Sequence, residues 1–132
     1  SRMNGTITHL STEAQTGLTR LGLTNRSGAW WPVSGHAGTC LLAEWVDPEG
    51  DLRHQHLFQP LAASVAPGET REVSLRLDAE GTSDQGKLRL HLYQIGVGVM
   101  TGSGRAPTCT LPCSEAAFLH LVRQQPRPGD AP

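Results

Sequence analysis

The stretch Lys87-Leu88-Arg89-Leu90-His91-Leu92-Tyr93 decides the fold, because its apolar and polar residues alternate without a break. Successive side chains of an extended strand point to opposite faces, so the leucines share one face and Arg89, His91 and Tyr93 share the other. Alternation of this kind predicts a strand that buries one face and exposes the other to water.

The same period recurs along the chain and predicts a layered, all-β domain. Strands with this pattern or with a short apolar run are expected at residues 6–10, 21–24, 39–46, 52–58 and 73–77. Turn sequences separate them, at Asp47-Pro48-Glu49-Gly50, Ala66-Pro67-Gly68-Glu69 and Asp84-Gln85-Gly86. Strands that recur every 8 to 12 residues with turns between them are typical of a β-sandwich.

The C-terminal third is less regular. Residues 96–104 are rich in glycine, and Val97, Val99 and Met100 among them are a candidate for a short strand. Residues 114–124 fit a helix with an apolar stripe, but we expect a closing strand there, since the sandwich needs a last edge. We predict one domain over residues 1–125, with a core at 16–100, a closing segment at 101–125 and a flexible tail at 126–132.

Length and composition exclude several classes of protein. A chain of 132 residues suffices for one domain, and its net charge of -1 gives no basic face for nucleic acid. The apolar runs are too short for a membrane span or a signal-peptide core, so we expect a soluble domain without direct membrane insertion. The start, Ser1-Arg2-Met3, indicates a piece cut from a longer protein.

The three cysteines are an odd count, and no pattern of metal ligands surrounds them. Cys109 and Cys113 flank a Thr-Leu-Pro stretch, and Cys40 lies in an apolar run. A closed zinc site needs four ligands, and the sequence has no second cysteine pair. We therefore expect three free thiols in a reducing compartment, and no metal or other cofactor.

A set of short motifs resembles one known family over residues 16–100. One half of it consists of Leu23-Thr24-Asn25, Trp31-Pro32 and the run 41–45 with the Asp47 to Gly50 turn. The other half consists of Pro60-Leu61, the stretch 65–69 and Gly86 leading into the strand at 88–95. These motifs resemble the carbohydrate-binding domain at the C-terminus of Wzt, the nucleotide-binding subunit of bacterial O-antigen ABC transporters.

The resemblance implies an immunoglobulin-like antiparallel β-sandwich of seven to nine strands. It also implies a noncatalytic module that recognises a bacterial surface polysaccharide for export. The resemblance places this module in the cytoplasm, at the inner face of the bacterial inner membrane, through its parent transporter. A homodimer formed by exchange of the C-terminal strand is implied as well. The chain departs from the family at Val99-Met100, where a Trp-Phe pair is usual, and it lacks the phosphate-binding motif of an ATPase.

The outward-facing side chains of the central strands are the candidate sugar site. Sugars are recognised by a flat apolar ring face together with planar hydrogen-bonding groups. Arg89, His91 and Tyr93 supply both, and neighbouring strands are expected to add residues to the same patch. The predicted carbohydrate-binding residues are Trp30, Glu44, His54, His56, Arg89, His91 and Tyr93.

The tryptophans divide between the core and the surface. Trp45 shares a face with Leu41 and Ala43, so it is predicted to plug the core between two sheets. Adjacent residues of an extended chain point to opposite sides, and the resemblance makes Trp31 the structural member of its pair. Trp30 is then left facing solvent, where its ring can stack on a sugar.

Other interpretations of the same residues stay open. The polar patch also fits an ordinary solvated face, or a structural or protein-interaction module appended to a glycosyltransferase or other polysaccharide-processing enzyme. His54 and His56 fit a metal site if Glu44 or His91 supplies a third ligand across the strands. Catalysis is not predicted, because the sequence shows neither a nucleophile elbow nor a paired set of carboxylates.

Overall fold

A computed structural model describes residues 3–32, 38–77, 85–100 and 108–125. Within these ranges the chain forms eight strands and one helix. In chain order these are β1 (Gly5–Thr12), β2 (Leu18–Asn25), β3 (Thr39–Val46), β4 (Leu52–Phe58), β5 (Thr70–Arg76), β6 (Gly86–Gln94), β7 (Gly98–Val99), β8 (Thr108–Cys113) and α1 (Glu115–Gln124). The Asp84 end of one predicted turn and the predicted tail at 126–132 lie outside the described residues.

The strands form two antiparallel sheets, which confirms the predicted all-β sandwich. The first sheet has the order β1-β2-β5. The second has the order β4-β3-β6, and the other edge of β6 pairs with β8 over most of its length and with β7 at its end. Central β3 is bracketed by β4 and β6, as its apolar sequence predicted.

The core lies between the two sheets and is built from the alternating residues that the sequence singled out. Leu88, Leu90 and Leu92 of β6 are fully buried, and their registered partners on β3 complete the same inner face. Facing them across the sandwich are Leu21 and Leu23 of β2. Removing this apolar surface from water is the main force that holds the sheets together.

The hairpin between β3 and β4 is fixed by a carboxylate. Asp47 Oδ1 accepts hydrogen bonds from the backbone N–H groups of Glu49 (3.0 Å) and Asp51 (2.9 Å). Its Oδ2 accepts from Nε of Arg53 at 2.7 Å, and this bond is the main reason that the pKa of Asp47 is lowered. Gly50 adopts a φ of 91°, a conformation that side-chain-bearing residues rarely take, so the predicted turn is confirmed.

The prediction of a closing strand at 114–124 is wrong, because that segment forms α1. The side chain of Ser114 accepts a hydrogen bond from the backbone N–H of Ala117 at 3.1 Å, which caps the helix. Phe118 and Leu121 project into the core. The edge that the sandwich needed is supplied by β8, whose pairing with β6 leaves the next segment free to be helical.

The three cysteines all fall within described elements and are free thiols buried in the protein. Cys109 and Cys113 do not bracket a small loop; they lie four residues apart on one face of β8, roughly 13 Å along an extended chain. Burial raises the pKa of the Cys40 thiol to about 11 and that of Cys113 to about 12. In the ranges that the structure describes, no helix is both long and apolar enough to cross a membrane.

Trp45 connects β8 to the core, and its ring is buried between the two sheets as predicted. Its indole Nε1 donates a hydrogen bond to the backbone carbonyl of Cys113 at 2.9 Å. The ring lies against the start of β6, where a Cβ added to Gly86 would come within 2.6 Å of the indole and would overlap the Val46 carbonyl oxygen. The sheet therefore has no room for a side chain at position 86.

We predict that Gly86→Ala destabilises the domain by about 1–3 kcal/mol, because the added methyl group must displace backbone or the indole ring. Chemical denaturation of the two proteins measures this difference. Gly28→Ala is the matched control, since nothing lies within 4 Å of a Cβ there, and its stability should stay close to wild type. Equal stability of all three proteins would contradict the packing described above.

Candidate functional site

The outer face of the second sheet brings polar residues from four strands into one row. Gln55 of β4 pairs with Glu44 of β3, Glu44 pairs with Arg89 of β6, and Arg89 pairs with Thr110 of β8. Registered partners in antiparallel strands share a face, so these side chains are neighbours. His91 lies one row further along β6, where Thr108 is its partner.

Glu44 is the centre of this row. Its Oε2 accepts a hydrogen bond from Gln55 Nε2 at 2.7 Å, and its Oε1 accepts from a terminal nitrogen of Arg89 at 3.2 Å. His91 Nε2 lies 2.7 Å from the same Oε1, and His91 Nδ1 lies 3.1 Å from the hydroxyl of Thr108. Only 8% of Glu44 is exposed, so the carboxylate is held almost entirely by protein groups.

The electrostatics of Glu44 favour its ionised form. Burial alone would raise the pKa of this carboxyl group. The hydrogen bonds from Gln55 and His91, together with the positive charges available on His91 and Arg89, outweigh burial and bring the pKa below its ordinary value. Glu44 is therefore a carboxylate at neutral pH, and it orients the side chains of Arg89 and His91.

Arg89 and Tyr93 present the accessible chemistry of this face. The Arg89 side chain is 41% exposed, while its Nε is buried and has no hydrogen-bond partner among the described residues. Tyr93 is half-buried and lies between Cys40 of β3 and Val99 of β7 in the register. We call Glu44, Gln55, Arg89, His91 and Tyr93 together the Glu44 face.

His54 and His56 do not belong to the Glu44 face, and their predicted placement beside Glu44 is wrong. Val46 pairs with Leu52, and that register would bring His54 opposite Glu44. Arg53, however, is registered with no residue of β3, and this bulge shifts the pairing of the two strands by one residue. Gln55 consequently takes the outer position, and the two histidines turn to the inner face.

On the inner face the histidines have structural contacts. His54 stacks on Phe118 of α1, with ring centroids 5.7 Å apart, and its Nε2 lies 2.8 Å from a carboxylate oxygen of Glu115. His54 therefore attaches the helix to the edge of the second sheet. His56 pairs with Ala43, and its Nε2 is buried without a hydrogen-bond partner in the described part of the chain.

This placement removes the basis for a metal site at the two histidines. Glu44 and His91, which were to provide the third ligand, lie on the other side of the sheet. Among the residues that the structure describes, no group of three or more His, Cys, Asp or Glu side chains is arranged to hold a metal ion.

The tryptophans lie where the sequence predicted. Trp31 is fully buried and forms a bridge with Val65, whereas Trp30 is 60% exposed. Trp30 belongs to the connection between β2 and β3, however, and not to the strands of the Glu44 face. The register does not bring it into the row centred on Glu44.

Two members of the network escaped sequence analysis. Gln55 contacts Glu44 directly, and Thr108 contacts His91 directly. Gln55 reaches the outer face only through the bulge at Arg53. The apolar Cys109, Leu111 and Cys113 of β8 alternate with polar or exposed residues, so the strand itself has a sequence signal, but the contact of Thr108 with His91 depends on the pairing of β8 with β6. Pairing across strands was the only information that would have revealed them.

Comparison with known proteins adds little to this geometry. No protein-family model matches the sequence, and no curated protein matches it. A matching solved structure is β-glucosidase 3B from Thermotoga neapolitana in complex with α-D-glucose, with 14% sequence identity and a TM-score of 0.37. The match covers 86% of this chain but only 16% of the glucosidase, so this chain spans a small part of that enzyme's length.

We predict that Glu44→Gln destabilises the protein by about 1–3 kcal/mol at pH 7, since it weakens hydrogen bonds to a nearly buried charge. The lowered pKa stabilises the fold at pH values above the ordinary 4.5 of an unfolded glutamate, and this stabilisation is lost as the pH falls through the lower folded value. The stability difference should therefore shrink on acidification below pH 4.5.

Denaturation curves recorded at a series of pH values measure this trend. Glu72→Gln is a control, because Glu72 pairs with Arg20 on the solvent side of the other sheet and both side chains are about half exposed. A Glu44→Gln penalty that stays constant from pH 7 to pH 3 would contradict the assigned ionisation of Glu44.

Proposed function

We propose that this protein is a noncatalytic carbohydrate-binding module that recognises a bacterial surface polysaccharide through its Glu44 face. The observation that carries the proposal is the arrangement of Arg89. Glu44 holds one of its terminal nitrogens, and 41% of the side chain remains open to solvent on the same face as Tyr93. Arg89 and Tyr93 lie four residues apart on one face of β6, so an oriented guanidinium and an aromatic ring together offer a polysaccharide chain the two kinds of contact that sugars require.

The exposed fraction of each side chain indicates its role in the Glu44 face. Arg89 is the donor for sugar hydroxyl or carboxylate oxygens, because a planar guanidinium bonds two oxygens at once. Tyr93 offers part of its ring to the C–H side of a pyranose. Glu44 is too buried to meet a polysaccharide, so its role is to orient Arg89 and His91.

The binding mode is shallow, and this determines how the module would work. Contacts on an open sheet face are wet and gain little beyond the cost of desolvation, so affinity for a single site is weak. A homodimer would raise the effective concentration of a second site and strengthen capture of a long chain. The resemblance to the Wzt domain supports O-antigen as the polysaccharide. It also supports a parent ABC transporter at the inner face of the inner membrane, with dimerisation by exchange of the C-terminal strand.

A second candidate function is a structural or protein-interaction module of a polysaccharide-processing enzyme. The observation that favours it is a set of large apolar side chains exposed to solvent, namely Leu10, Trp30, Leu52 and Val97. Large apolar side chains exposed to solvent mark a surface that binds other proteins where they form one contiguous patch. In that case the Glu44 face would be an ordinary solvated surface.

Binding to a panel of purified O-polysaccharides, measured by calorimetry, tests the proposal. We expect Arg89→Ala to weaken binding about tenfold or more, since it removes a charge-assisted donor. Tyr93→Ala should weaken binding through loss of the ring. Arg20→Ala is the matched control, because Arg20 lies on the first sheet and pairs with Glu72 at 2.8 Å.

Thermal unfolding of each variant must accompany the measurement, so that misfolding is separated from loss of the site. Binding that survives both Arg89→Ala and Tyr93→Ala in folded protein would remove the Glu44 face as the site. Absence of binding by the wild-type protein to every polysaccharide would favour the protein-interaction alternative.

A further inference from the structure

A cavity of about 390 Å³ lies on the other side of the second sheet from the Glu44 face, at one end of the sandwich. It opens where the β1–β2 hairpin faces the junction of β8 and α1. His9, Thr12 and Thr19 line it from the first sheet, and Leu111 of β8 lines it from the second. The volume falls within the range of about 300–1,000 Å³ that small-molecule sites occupy.

The polar wall of the cavity is organised by a bulge in β1. His9 pairs with Leu21 and Ser11 pairs with Arg20, so Leu10 is an extra residue without a partner. In a regular strand, residues three apart point to opposite faces, but this extra residue turns His9 and Thr12 to the same side. His9 Nε2 accordingly lies 2.7 Å from the hydroxyl of Thr12.

The hydroxyl groups continue inward from the mouth of the cavity. Thr12 Oγ1 lies 3.3 Å from Thr19 Oγ1, and Thr19 donates to the Gly17 carbonyl at 3.2 Å. Thr19 is fully buried, so it positions the Thr12 hydroxyl from behind, and the polar groups open to a ligand are those at the rim of the cavity. Gln85 adds an amide that can both donate and accept.

The chemistry of the lining selects a class of ligand. None of the described residues that line the cavity is Asp, Glu, Lys or Arg, so a charged ligand would be desolvated without a countercharge. Leu77 and Leu111 contribute apolar surface on the same cavity. Hydroxyl, imidazole and amide groups opposite an apolar wall suit a small uncharged molecule that has hydroxyls at its edge and C–H groups on its face.

We infer that this cavity binds one neutral, hydroxyl-rich ring of the size of a monosaccharide. The site is separate from the Glu44 face, because none of the five residues of that face lines the cavity. The inference does not depend on the proposed function, since it comes from the shape and lining of the cavity alone.

Titration of isotope-labelled protein with methyl glycosides of glucose, mannose and galactose, followed by amide NMR shifts, tests the inference. We expect saturable shifts of the Thr12, Thr19 and Leu111 amides with at least one glycoside, and weaker shifts with glucuronate. Thr12→Leu, which removes a hydroxyl and fills the mouth, should weaken binding about tenfold or abolish it.

Two controls separate this site from general effects on the protein. Thr8→Leu places the same side chain on the opposite face of β1, where Thr8 is exposed, and it should leave the titration unchanged. Arg89→Ala should also leave it unchanged, which distinguishes the cavity from the Glu44 face. The inference is overturned if no glycoside causes saturable shifts in folded protein, if glucuronate binds more tightly than the neutral glycosides, or if Arg89→Ala abolishes the shifts.

Discussion

The antiparallel pairing of β3 with β6 is the constraint on which the rest of the structure depends. The register runs without interruption from Thr39↔Gln94 to Val46↔Lys87. It places Leu41 beside Leu92 in the core and Glu44 beside Arg89 on the surface. Because side chains alternate strictly, a slip of one residue would exchange these two faces, so the core enforces the geometry of the outer surface.

Two bulges modify what this regular framework presents. In β4, Arg53 has no registered partner on β3. This bulge turns His54 inward, where it contacts α1, and places Gln55 on the outer face, where it contacts Glu44. The unpaired Leu10 in β1 brings Thr12 to the same side as His9. In both strands one extra residue changes the face of the sheet to which polar side chains point, while the apolar residues stay in the core. This is a common role of bulges.

The C-terminal elements close the sandwich by a route different from the one expected. Strand β8 occupies the free edge of β6, and the carbonyl of Cys113 accepts the indole hydrogen bond from Trp45. The chain then turns at Ser114 into a helix whose Phe118 packs against the inner face. The helix covers part of the core that two sheets of these lengths would leave open.

The sequence by itself determined the all-β class, most strand positions and the division of residues between core and surface. These properties follow from local alternation, as in the run from Leu88 to Tyr93, and from turn residues such as Gly50 and Gly68, both of which adopt a positive φ. Local sequence also placed Arg89, His91 and Tyr93 on one face, because they belong to a single strand.

Only the tertiary structure decided which residues of different strands meet. The face taken by His54, the partners of Glu44 and the shape of the cavity beside Thr12 all depend on inter-strand register and on bulges. The same dependence explains α1, since residues 114–124 fit either a strand or a helix until β8 fills the edge of the sheet. Contacts between distant segments make these choices, and alternation within one segment carries no information about them.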